Sequence, residues 1–280
     1  MAKNAVAKKE ENAVAMPEFM KEHVGLGTER LSGSDVEVPR LKLIQKLSPE
    51  LETHNDVKAG DFFHSIAEMP MGNSIRITPI FVSQQFILWR PRETGGGILA
   101  RAEDGIHWNP PSGEFAVKLK SGQDVTWRTA PTVAQSGLDK WGSSNPADPN
   151  SPPAATRMYN IVVAFPDDPD MPPAVVTLQR AAIKVARKFI GKLKITRAPS
   201  FGLIFNMKSV EDSSPSGKFY NFAFASDGMV EDKAIYDRNY EMYQFFEKQG
   251  VSVKDLESAQ DDGIGDDAAP VGEAKDKPAF

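Results

Sequence analysis

Nine cations crowd the stretch from Arg180 to Lys218: Arg180, Lys184, Arg187, Lys188, Lys192, Lys194, Arg197, Lys208 and Lys218. Only Glu211 and Asp212 oppose them, in "SVEDSSPSG". A second basic group, Arg90, Arg92 and Arg101, lies in "WRPRETGGGILAR" with Trp89 at its head. Cations at this density follow phosphates, and aromatic faces beside them stack on unpaired bases at roughly 1–3 kcal/mol each. Phe219 falls on the polar parity of its strand, next to Lys218, as Trp89 falls next to Arg90. These residues are the candidate nucleic-acid contacts. A solvated basic face accounts equally well for the helix cations taken alone, and core packing or edge covering for the two aromatics.

Other chemistries find little purchase. The chain has no Cys, so disulfides, thiolate metal sites and cysteine nucleophiles are excluded. There is no G-x-x-x-x-G-K-[ST] loop and no G-x-S-x-G elbow. Gly95–Gly97 precede a strand-like run rather than a helix, which makes them a hairpin turn. His23, His54, His64 and His107 form no close pair and are expected on the surface or in loops. Asp167, Asp168 and Asp170 alternate with Pro166, Pro169 and Pro172, the composition of a turn rather than of a metal site. No catalytic residue, metal or cofactor is expected.

The elements that must hold the cations are mostly strands. Val36 and Val38, then Leu41 and Leu43, show an alternation broken by Pro39 in "DVEVPRLKLIQ". In "SIRITPIFVSQQFILWRPR", Ile75, Ile77 and Phe81 share a parity, and "FILW" is apolar on both faces, as in a central strand. "MYNIVVAF" and "AVVTLQ" read as strands. "FGLIFNMK" and "KFYNFAFAS" read as a hairpin around a long polar loop, with Phe201, Leu203, Phe205, Met207, Tyr220, Phe222 and Phe224 inward. The clearest helix is "TLQRAAIKVARKFIGKL". Its Leu178, Ala181, Ala182, Val185, Phe189 and Leu193 fall on one side and its cations on another. "YDRNYEMYQFFEKQG" reads as a closing helix.

Between residues 109 and 157 the chain is dense in Pro, Ser, Asn and Gly, with one hairpin in "EFAVKLKSGQDVTW". It reads as a long loop or insertion. Trp108, Trp127 and Trp141 imply that it packs on the body or touches a ligand. The predicted organisation is a mobile arm at 1–35, a nucleic-acid-binding domain at 36–254 and a disordered acidic tail at 255–280. With strands predominant and no βαβ alternation, the expected fold is mainly β with minor α. It is an OB-like, partly open barrel with one internal helix and a closing C-terminal helix.

The net charge of −5 conceals an asymmetry. From Asp255 to Phe280 there are eight acids and two bases, which leaves 31 bases and 30 acids in the body. Acid that attracts the basic groove would compete with weak polyanions, and Asp261, Asp262, Asp266 and Asp267 with Phe280 offer partners an acidic segment with an apolar anchor. A solubilising tail is the plainer reading. "DDGIGDD" with "PAF" resembles the tails of bacterial and phage single-stranded DNA-binding proteins. The layout "VPRLKLIQKLSPE", "FILWRPRETGGGILAR" and a basic helix ahead of the last hairpin resembles a phage replication protein. Lys275 and Lys277 depart from the Asp-rich bacterial pattern.

The resemblance implies a non-catalytic single-stranded DNA-binding protein acting in phage replication or recombination. Its tail would recruit polymerase, helicase or nuclease, and a homo-oligomer is a further partner expectation. With no apolar run near 20 residues and no signal-like N-terminus, a soluble protein of the host cytoplasm without membrane partners is expected. A nuclease whose carboxylates converge only in the fold, and a protein-binding or virion-associated module, are the alternatives.

Overall fold

The computed structural model describes residues 39–214 and 217–249. The arm at 1–35 and the tail, with Asp261, Asp262, Asp266, Asp267 and Phe280, lie outside the described residues.

One strand organises the rest. It is β4, which spans Ser74–Trp89, 16 residues. β10 (Leu203–Ser214) pairs with its first residues, and β8 (Ala155–Ala164) pairs from Thr78 to Leu88. β5 (Ile98–Ala102) joins its last residues on the edge opposite β8. β9 (Ala174–Gln179) flanks β8, and β11 (Gly217–Met229) flanks β10. The order is β11-β10-β4-β8-β9, all antiparallel, with β5 to one side. A small sheet precedes it: β1 (Leu41–Leu43), β2 (Phe62–His64) and β3 (Met69–Pro70), with the single-turn helix α1 (Glu50–Thr53) between the first two.

The architecture is mainly β and partly open, as the strand-rich pattern predicts. No ladder among the described residues joins β9 to β11. Instead β1 lies beside β9 through the parallel bridge Arg40–Val175. The buried Gln45, just after β1, reaches β11 with its side chain: Nε2 donates to the Tyr220 carbonyl (2.9 Å) and Oε1 accepts from the Tyr220 N–H (2.8 Å).

β4 feeds three cores. Ile77 enters one with Leu43, Phe62, Ile161, Phe189, Phe205 and Phe224. Phe86 and Leu88 enter a second under the insertion, and Ile80 and Ile87 a third under the closing helix. The switch of side is a bulge, where the register with β8 shifts between Pro79 and Phe81. A bulge is also where a strand tolerates proline. For the same reason Phe81 does not share the face of Ile75 and Ile77; it packs in the third core, tilted against Tyr243.

The helix α3 covers Ile183–Thr196 after a 3-10 turn at Arg180–Ala182. It starts later than its periodicity predicts, because Thr177–Gln179 stay in β9. Phe189 is buried against Phe205 and Phe224, with ring centroids 4.9 and 4.3 Å away. Burial of such a ring contributes about 1.5–3 kcal/mol. The closing helix α4 (Lys233–Gln249) starts at Asp232, whose Oδ1 accepts the Ala234 N–H at 2.7 Å, an N-cap. Its Tyr236, Met242, Tyr243 and Phe246 cover the third core, and Asn239 donates to the Phe201 carbonyl.

The insertion is packed rather than loop-like. β6 (Glu114–Lys118) and β7 (Asp124–Arg128) form the expected hairpin, followed by the single turn α2 (Val133–Ser136) with a Thr132–Gln135 capping box. Trp108 and Trp127 are buried in the second core, and their indole N–H groups donate to Ser136 Oγ and the Ser144 carbonyl. Trp141 is 38% exposed. His64 departs from the surface expectation. It is fully buried, with Nδ1 accepting from the Ala67 N–H, so that Nε2 is left to donate to the Pro172 carbonyl.

Candidate nucleic-acid interface

The predicted contacts fall into three groups, one on α3 and one at each end of β4. The largest is α3. Its apolar side, Ala186 and Phe189, faces the first core, which leaves Lys184, Arg187 and Lys188 on the exposed side of the middle turns. Lys194 and Arg197 continue the exposed side at the C-terminal end, beside Ile195, which is 82% exposed. No Asp or Glu occurs in the sequence between Asp170 and Glu211, so no acid in that segment neutralises the surface. Arg180 and Arg197 bracket the helix with φ of 49° and 55°. Left-handed backbone is uncommon for residues with a Cβ and costs of order 1 kcal/mol or more. Lys192 plays a different part from its neighbours. It is half-buried, and its Nζ donates to the Phe224 carbonyl at 2.5 Å, tying helix to strand.

The second group lies at the start of β4. The β10–β11 hairpin stays paired out to Ser214 and Gly217, well past the last rung with β4, Lys208–Ser74. "SVEDSS" is therefore strand, not loop. Periodicity missed this because Ser209–Ser214 carry mostly polar, exposed side chains, while the apolar residues opposite them, Tyr220 and Phe222, lie on β11. Lys208 is exposed. Lys218 is paired with Glu211 at 2.7 Å, and the hydrogen bond and charge of each raise the lysine pKa and lower that of the acid. Phe219 is half-buried opposite Asp212.

The third group lies at the other end, about 50 Å along the strand at ~3.3 Å per residue. Arg90 and Arg92 are exposed; Trp89 is half-buried and packs on the third core. Gly95, Gly96 and Gly97 all have positive φ, which is what the turn into β5 requires. Arg101 is half-buried, 3.9 Å from Glu103. The structure thus brings the α3 cations together on one face but does not gather all the candidates into one groove.

Acids elsewhere are engaged locally. Asp167 and Asp227 both pair with Arg76, whose pKa they raise, chiefly through the Asp227 hydrogen bond. Asp170 lies 3.9 Å from Arg238. Sequence patterns also gave no sign of an Asp–His pair. His107 Nδ1 sits 2.6 Å from Asp104 Oδ2, while Asp104 Oδ1 accepts the Ile106 and His107 N–H groups at 2.7 Å each. Burial pushes the Asp104 carboxyl up, but these hydrogen bonds outweigh it and hold the group below its ordinary value. No described helix is long and apolar enough to cross a membrane.

Fold and surface together define a mainly β protein of partly open architecture with a basic helix laid against its first core. The chain belongs to the Pam3 phage gp34-like protein family, whose profile matches residues 8–252. No curated protein and no solved structure matches it.

Proposed function

We propose that the chain is a non-catalytic, single-stranded DNA-binding protein of phage replication or recombination, acting in the host cytoplasm. The exposed cations of α3, in a segment of 40 residues (171–210) without an acid, are the observation that carries this reading. The connectivity supports an OB-like framework. β4 pairs with β8 and β10, β9 follows β8, a helix separates β9 from β10, and the gap falls between β9 and β11. That is the arrangement of a five-stranded, partly open barrel with a helix before its last two strands. In this reading DNA follows α3, and the stations at Arg90 and Lys208 extend the path. The acidic segment at 255–280 competes for the same cations and, through Phe280, recruits polymerase, helicase or nuclease.

The test is binding of labelled oligo(dT) and of matched duplex across a salt series, by the full chain and by a chain lacking residues 256–280. Each phosphate contact contributes a slope of about −0.7 for single strands. With three to six contacts, log K falls by roughly 2–4 per tenfold rise in salt. The truncated chain binds more tightly at low salt, and the gain shrinks as screening sets in. Equal affinity for duplex and single strand would sink the reading.

A further inference from the structure

A cleft of about 550 Å³ opens at the outer edge of β5, within the size range of small-molecule sites. β5 meets β4 through Ile98, Ala100, Arg101 and Ala102, while Leu99 is the extra residue of a bulge without a rung of its own. On the outer side Arg101 exchanges two backbone bonds with Asn109, of 3.1 and 2.7 Å. The next residue is Pro110, which has no N–H to continue the pairing. Among the described residues no strand covers the outer edge from Ile98 to Ala100.

Three side chains face this gap with different chemistry. His107 is 66% exposed, and its ring is held by Asp104. Asn109 carries a donor and an acceptor on one amide. Arg101 lines the wall beside Glu103. One arginine against Glu103 and Asp104 makes a poor phosphate site. A planar ring with donors and acceptors on its rim suits these walls better. An added peptide strand needs a longer run of free edge than the pairing at Arg101 leaves.

We propose that this cleft receives one unstacked nucleobase of a bound strand, with His107 as the stacking face and Asn109 and Arg101 bonding to the rim. The inference rests on the single-strand reading above. Arg90, one residue past the Trp89–Ile98 rung, then meets a flanking phosphate. An extruded base at this point also explains why the third basic group lies at the opposite end of β4 from Lys208: it holds a separate part of the strand.

The experiment compares a fluorescein-labelled oligo(dT) 20-mer with an abasic deoxyribose-phosphate strand of the same length, using the full chain and the variant H107A/N109A. Loss of one stacked, bonded base should weaken oligo(dT) binding about five- to tenfold. The abasic strand should bind both proteins alike, with the salt slope unchanged. Equal loss on both strands, or no loss on either, overturns the pocket and leaves single-strand binding standing. If the wild-type chain fails to bind oligo(dT) at low salt, both readings fall. The variant His107→Phe supplies an independent arm, since it keeps a flat face; weaker oligo(dT) binding by it than by H107A also overturns the proposal.

Discussion

Gln45 does at the scale of one side chain what a strand does elsewhere in the molecule. Its amide presents a donor and an acceptor at once, as a backbone rung would, and satisfies both polar groups of Tyr220, 175 positions away. Gly60 lies beneath the same tyrosine, so close that a Cβ there would come within 2.8 Å of the ring, and its φ of 94° disfavours any other residue. The substitution Gln45→Ala leaves two backbone groups without partners, each worth about 1–3 kcal/mol. We expect a loss of roughly 2–4 kcal/mol in urea unfolding. Gln45→Glu keeps the acceptor and loses the donor, and should fall between. A change below about 0.5 kcal/mol in Gln45→Ala would show that water replaces the amide at no cost. Nothing in the sequence around Gln45 marks this role, because the partner is fixed only by the fold.

At the scale of the element, α3 divides its cations between two tasks. Lys184, Arg187 and Lys188 are exposed, whereas Lys192 is bonded to β11. Replacing the first three together by Ala, a good helix former, should leave the melting temperature nearly unchanged. If each touches a phosphate, the triple variant flattens the salt slope for oligo(dT) by about 2. Lys192→Ala should do the reverse, lowering stability by about 1 kcal/mol with little effect on the slope. A triple variant with an unchanged slope would move the interface towards Arg90, Arg92 and Arg101. The amphipathic period of this helix was readable, since the predicted inward residues Ala182, Val185, Phe189 and Leu193 all pack on the first core; Ala186, also buried there, was not among them. The true start of the helix was not readable: Leu178 fits a strand and a helix equally, and pairing with Tyr159 on β8 decided for the strand. The polar arm of the last hairpin was missed for the opposite reason, having no buried face to leave a pattern.

At the scale of the whole molecule, strand predominance, the internal helix and the closing helix were legible in order and kind. The division into cores was not, because it depends on one bulge at Pro79–Phe81 and on an insertion whose tryptophans turn inward. The tryptophans of the Pro/Ser/Asn/Gly-rich insertion left two readings, packing on the body or touching a ligand; Trp108 and Trp127 pack, and with Leu138 they give it an interior. That interior is not independent, since Phe86 and Leu88 of β4 form part of it while Ile77 and Ile80 of the same strand serve the other two. β4 is therefore a common spine. The insertion, the body under α3 and the layer beneath α4 all pack on side chains of this one strand, so they should open together and their slowest amides exchange with deuterium at one common limiting rate. A ligand held at either end of the spine should then slow exchange at the far end, with no pathway between them beyond cooperative unfolding itself.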